Sequence, residues 1–204
     1  IEEMSQLFKP DFFFVADDTF TIFRDRTRTI CELFSQLGIK WVCESRANIM
    51  DKNIILELAR SGCFAIQYGV ESGSQKVLDS IEKNITVEQV RNAVRWSKEA
   101  KILPVCSFMV PHPEDTLETI AETKNLMLEL KSMGALVFVS LTTPFPGTKL
   151  YERAEDLEVR MVSTDTDDFD LATAVIETKN LTIEQIESAY EDLSSICSEF
   201  LQFD

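Results

Sequence analysis

Basic charge is scarce in this 204-residue chain: 20 lysines and arginines stand against 35 acidic residues, a formal charge of −15. No dense Lys/Arg run occurs, so the electrostatic footprint that holds a phosphate backbone is missing, and nucleic acid is not expected as a partner. Long apolar stretches are missing too. The longest, near Ala135–Val139, falls far short of the ~20 residues that span a bilayer. No secretory segment is visible, and a cytoplasmic location is expected. The five cysteines, Cys31, Cys43, Cys63, Cys106 and Cys197, are odd in number, and none lies within four residues of another. That spacing suits neither a local metal knuckle nor a disulfide framework, and it reads as reduced thiols in the core. His112 is the single histidine, and none of the six glycines builds the glycine-rich turn of a dinucleotide crevice.

What the chain does have is apolar content, 45% of its residues, enough to bury the core of one domain. Short apolar runs alternate with polar turns and amphipathic stretches, the βα pattern of a parallel sheet. Strands are expected at residues 12–16, 40–44, 64–69, 103–110 and 136–141, nearly continuous runs of the kind buried on both faces. Thr86 with Gln89 and Thr182 with Gln185 read as capping boxes opening helices, Ser74 as the cap of a short helix, and Gly134 as a helix stop. Five such units form either an open doubly wound sheet or a partial TIM-like (βα) barrel; the missing glycine-rich turn favours the barrel. Residues 1–156 are expected to form it. Residues 157–204 would follow as an irregular acidic connection and a C-terminal amphipathic helix with a seam of Ile183, Ile186, Tyr190, Leu193, Cys197 and Phe200 that docks on its own domain. The chain opens on Ile1 in what reads as mid-helix, so it is expected to be a fragment of a longer protein.

In a parallel βα architecture, ligands bind at the carboxyl ends of the strands. That rule gathers Asp17, Asp18, Glu44, Arg46, Glu71, Ser72, His112 and Thr142. Carboxylates accept from amine and hydroxyl groups, and an arginine grips a carboxylate with two parallel bonds, so the set suits an amphoteric ligand. Other readings stay open. Asp17, Asp18 and Glu71 could hold a divalent metal for a barrel hydrolase or lyase, or the barrel could bind a ligand without chemistry. Asp17–Thr19 could simply cap a helix, Arg46 could bridge to Glu44 or Glu71, and His112 could be a loop residue.

Taken in order, "FFFVADDTFT", "WVCESRAN", "YGVESGSQKVLDSIEKNIT", "SFMVPHPEDT", "LTTPFPGTKLYERA" and "DFDLATAVIETKNLT" resemble the radical S-adenosylmethionine (radical SAM) superfamily. The resemblance is strongest to its cobalamin-associated branch, which includes the magnesium-protoporphyrin ester cyclase-like proteins. It implies a (βα)6 core of which this chain is the second to sixth units. By the same resemblance Asp18 would meet the methionyl amine of S-adenosylmethionine and Arg46 its carboxylate, Glu71 and Ser72 its ribose or methionyl part, and Phe108, Val110, Thr143, Pro144 and Pro146 its adenine. Pro111 and Glu114-Asp115 depart from the family pattern. The CxxxCxxC motif that ligates the [4Fe-4S] cluster is absent, so this fragment alone is expected to be inactive. The parent protein would be an oxidoreductase or transferase using S-adenosylmethionine, the cluster, an electron donor and a small-molecule substrate. Cobalamin would come through a separate domain.

Overall fold

The computed structural model describes residues 1–198, so Phe200 lies outside the described residues. A short helix α1 (Glu2–Phe8) leads into β1 (Phe13–Val15) and α2 (Arg24–Leu37). Then come β2 (Trp41–Ser45), α3 (Lys52–Arg60), β3 (Cys63–Glu71), a one-turn α4 (Gln75–Ser80) and α5 (Val87–Glu99). The series ends with β4 (Leu103–Val110), α6 (Leu117–Ser132) and β5 (Leu136–Leu141). All neighbouring strands in this sheet pair in parallel, in the spatial order β1-β2-β3-β4-β5. The strands never double back, which is the progression of a barrel wall and not of a doubly wound sheet.

Helix starts and stops follow the local chemistry. The Thr86 hydroxyl accepts from Gln89 N–H at 3.1 Å while the Gln89 amide oxygen takes the Thr86 N–H at 2.8 Å, a reciprocal cap for α5. Gly134 follows α6 at φ 88° with its N–H on the Lys131 carbonyl, a left-handed turn that glycine adopts without a Cβ penalty. Ser74 does occupy the N-cap of α4, but its hydroxyl makes no capping bond; its N–H instead donates to Ser72 Oγ at 3.1 Å.

Alternation along the strands separates two faces. Trp41, Cys43 and Ser45 on β2, Ile66, Tyr68 and Val70 on β3, and Cys106, Phe108 and Val110 on β4 are buried. They share one core with Leu58 of α3, Val90 and Val94 of α5, and Met127 and Leu130 of α6. Each large side chain in it contributes roughly 1.5–3 kcal/mol through burial. The intervening residues, among them Glu44, Gln67, Gly69, Ser107, Met109, Phe138 and Ser140, are half-buried on the opposite, inner face.

Beyond β5, α7 (Lys149–Glu152) precedes a short antiparallel pair, β6 (Val159–Met161) and β7 (Ile176–Thr178). This hairpin corrects the expectation of an irregular connection. Its strands have only three residues each, too few for a period-two signal. Helix α8 (Ile183–Ser194) buries Ile186 and Leu193 and lies beside α6, with Lys124 on Asp192 at 2.7 Å. The outer edge of β5 is occupied: Val137 exchanges bonds with Ser198 through N–H to Oγ and C=O to N–H, and Leu141 N–H reaches the Leu171 carbonyl at 2.7 Å.

The turn after β3 is bolted to α6. Gly73 N–H donates to Thr123 Oγ1 at 2.9 Å, and a Cβ on Gly73 would meet Thr123 Cα at 2.5 Å and the Glu122 carbonyl at 2.7 Å. Both obstacles are backbone. Gly73→Ala should therefore lower stability by about 1–3 kcal/mol, read as a lower urea midpoint at unchanged slope.

Candidate functional site

The carboxyl ends of the strands bring several of the expected residues together, though through partners other than those anticipated. Strand β3 ends in a bulge between Gly69 and Glu71, and Glu71 takes φ 68°, a left-handed conformation that is uncommon outside glycine. The twist swings its carboxylate back over the inner face of Gly69, where it meets Lys83 Nζ at 2.6 Å. A Cβ on Gly69 would come within 2.7 Å of Glu71 Oε1 and 3.1 Å of Lys83 Nζ, so a larger residue there would push the tips of this pair aside.

Arg46 pairs with neither Glu44 nor Glu71. Its guanidinium donates to the Lys83 carbonyl and, at 3.4 Å, to Asn48 Oδ1, while Asn48 Nδ2 holds the Asn84 carbonyl at 3.0 Å. Glu82 and Asn84 both take φ 55°, which lets the Lys83 carbonyl and side chain reach different partners. Lys83 thus couples Arg46 at the end of β2 to Glu71 at the end of β3. The reading of the residues had missed it; its only signal was a lone cation in "IEKNIT", the turn leading to the Thr86 cap.

The remaining residues divide by what already holds them. Asp18 is exposed after β1, and its carboxylate makes no ion pair among the described residues. Asp17 pairs with Arg26 at 2.9 Å and accepts from Thr19 N–H at 3.2 Å. Ser72 is buried, with its hydroxyl on Thr123 Oγ1 at 3.2 Å and accepting from Ser74 N–H. Phe108 and Val110 point into the helix-side core, so any ligand contact from them is through backbone and not side chain. Thr143 and Pro144 are buried where β5 ends, and Pro146 is exposed in the following turn.

His112 is not an exposed loop residue. It is buried after the cis Val110–Pro111 bond, and among the described residues its Nε2 has no hydrogen-bond partner; nor has the buried Thr142 Oγ1 on the next strand end. Beside it Asp115 accepts from His112 N–H at 2.7 Å and from Thr119 Oγ1 at 2.6 Å, stapling the loop to α6. A cleft of about 320 Å³ adjoins this loop, lined in part by Glu82, His112, Glu114, Lys149 and Arg153. Asp17, Asp18 and Glu71 do not converge: two of the three carboxylates are committed to Arg26 and Lys83, and the described residues contain no group of three His, Cys, Asp or Glu able to hold a metal. The metal-dependent hydrolase or lyase reading is therefore not favoured.

Burial pushes the His112 imidazole below its ordinary value of 6.5, opposed by Asp115, the Glu71 carboxylate and the Glu71 carbonyl and assisted by Lys83. Burial likewise raises the Asp115 carboxyl, opposed by its bonds from Thr119 and His112. An imidazole kept neutral in the fold binds its proton more readily when unfolded, so its contribution to stability is lost as pH falls below 6.5. Asp115 acts oppositely, regaining stability as the pH falls through its raised folded value. Melting temperature should therefore drop as pH passes from neutral to just below 6.5. His112→Asn should flatten that drop, and Asp115→Asn should remove the compensation at lower pH, both read from thermal melts.

Comparison with known proteins bears on this arrangement directly. The family model described as the Radical SAM superfamily matches residues 1–127. An uncharacterised methyltransferase of Pyrococcus horikoshii is 32% identical over 140 residues, 68% of this chain and 30% of that protein. The anaerobic magnesium-protoporphyrin IX monomethyl ester cyclase of Cereibacter sphaeroides is 28% identical over 177 residues, 84% of this chain and 28% of the cyclase. The chain thus spans under a third of these curated relatives. Among solved structures, the radical S-adenosylmethionine methyltransferase TsrM from Kitasatospora setae, with cobalamin and a [4Fe-4S] cluster bound, superposes with a TM-score of 0.75 at 15% identity, covering 97% of this chain and 44% of that one. That likeness establishes the fold, a partial TIM-like barrel. The family match covers more than half of the chain, and the chain belongs to the radical SAM superfamily.

Proposed function

We propose that the parent protein is a radical SAM enzyme and that this chain supplies much of its S-adenosylmethionine site. The observation that carries the reading is the Arg46–Lys83–Glu71 chain of contacts at two adjacent strand ends. It offers cations and a carboxylate side by side, the complement of a ligand that carries a carboxylate, an ammonium and ribose hydroxyls. In this reading Asp18 takes the methionyl amine, Arg46 with Lys83 the methionyl carboxylate, and Glu71 the ribose or amine. Ser72 acts by fixing the turn, and backbone groups around Phe108, Val110, Thr143, Pro144 and Pro146 border the adenine. In the same reading residues 1–156 are the barrel unit and residues 157–204 the post-barrel unit, of which Leu171 and Ser198 cover the β5 edge.

A bound S-adenosylmethionine would supply either a 5′-deoxyadenosyl radical, after one-electron reductive cleavage that leaves methionine, or, as the intact sulfonium, a methyl group; the chain's residues would orient it and exclude water. The [4Fe-4S] cluster does not fit this chain's own cysteines. Four of the five are buried in the core, and the described residues offer no triad of ligands, so the cluster and any cobalamin belong to other parts of the parent. No helix among the described residues is long and apolar enough to cross a membrane. In this reading the parent is a cytoplasmic enzyme acting on a small molecule, and the acidic charge of this chain weighs against nucleic acid.

In the cluster-reconstituted parent, Glu71→Ala should weaken S-adenosylmethionine binding by roughly 10–100-fold without unfolding the domain. Unchanged affinity would remove Glu71 from the site. Lys83→Met should weaken binding about three- to tenfold, and by less than that in the Glu71→Ala background, since residues in contact are non-additive. Failure of the loaded parent to release any of methionine, 5′-deoxyadenosine or S-adenosylhomocysteine under reduction would overturn the enzymatic reading and leave a ligand-binding barrel.

A further inference from the structure

The inner face of the sheet carries a second feature that the proposed cofactor site does not use. Between β3, β4, β5 and α8 lies a groove of about 680 Å³, within the range of small-molecule sites. Its floor is set by strand register: Gln67 pairs with Val105, and Ser107 with Phe138. Its outer wall is Tyr190, Ser194 and the residues just after α8. None of the lining residues is charged, in a chain where 27% of residues are; the other clefts carry Arg, Lys, Asp or Glu in their walls. Glu44, in register with Gln67, lies outside the lining.

Several polar groups in the groove lack partners. Ser194 Oγ is buried with no hydrogen bond among the described residues. The Gln67 amide and the Tyr190 hydroxyl make none within the described residues, whereas Ser107 is already turned to the Tyr68 carbonyl at 3.4 Å. Half-exposed groups of this kind are met by water, and a ligand that replaces that water must offer them matching hydrogen bonds. Apolar walls with a few unpaired donors and acceptors, and no charge, define the occupant by exclusion. A carboxylate or ammonium would lose its hydration and gain no counter-charge.

We propose that this groove is a binding site for an uncharged, ring-containing small molecule with one edge that both donates and accepts hydrogen bonds, held there by Gln67. Side chains two residues apart on a strand share a face, so Gln67 lies directly below Gly69, over which the Glu71–Lys83 pair sits. The occupant therefore borders the strand-end site. As a binding site the groove stands by itself; as the seat of the substrate it rests on the radical SAM reading.

Benzamide and benzoate test it, being alike in shape and different in charge. In saturation-transfer NMR on the full-length protein, benzamide should bind saturably and benzoate about tenfold or more weakly. Gln67→Leu should weaken benzamide binding by about tenfold, with the melting temperature unchanged. Tyr190→Phe, at the outer wall, should weaken it less and carries the test if Gln67→Leu does not fold. Absence of benzamide binding, equal binding of the two probes, or affinity unmoved by either variant would overturn the proposal. Because no cofactor enters the measurement, its failure is distinct from failure of the S-adenosylmethionine reading.

Discussion

Parallel strands laid side by side in chain order constrain everything else. Every connection must travel back over the sheet, and right-handed crossovers send all of them over the same face. That face becomes the core, where Ile66, Cys106 and Val137 are fully covered. The other face receives no helix of its own along most of its length. It stays half-buried, and its residues include Glu44, Gln67 and Ser107 where a second core would have demanded apolar ones. Function is left with the inner face and the strand ends, and both lines of chemistry described above lie there.

Within that frame one turn does most of the positioning. Gly73 lies flat on the backbone of α6, and Ser72 spans from Thr123 to the Ser74 N–H. With the turn immobilised, Glu71 absorbs the change of direction as a positive φ, and its carboxylate falls where Gly69 leaves a gap. Three residue types that look like generic loop chemistry thus have separate tasks. One glycine admits a backbone, the other admits a charge pair, and the serine ties the two elements.

The five strands were legible because each is a near-continuous apolar run bounded by polar turns, and residues 103–110 and 136–141 coincide with the observed elements. The capping boxes were legible because their partners lie three residues apart. The site was legible only to the level of which loops converge. Arg46 and Glu71 do meet, but through Lys83, whose role depends on two left-handed residues that no local pattern announces. Strand parity also escaped the reading of the residues: Phe108 and Val110 share a face with Cys106, so Ser107 and Met109 are the β4 side chains that face inward. In a strand buried on both sides, apolar content alone does not reveal which set looks which way. His112 was legible as a residue type but not as a buried one, since the groups around it include Glu71 and Lys83, distant in sequence.

The far edge of the sheet has a consequence for solution behaviour. An outermost strand with free N–H and C=O groups is a template on which foreign strands can grow. On β5 the Val137 groups are taken by Ser198, and the Leu141 N–H by the Leu171 carbonyl. The chain's own tail segment therefore acts as a self-blocking cover that ends the sheet at β5. Growth of the sheet by a further strand is thereby blocked on the β5 side, a margin sealed from within by the chain itself.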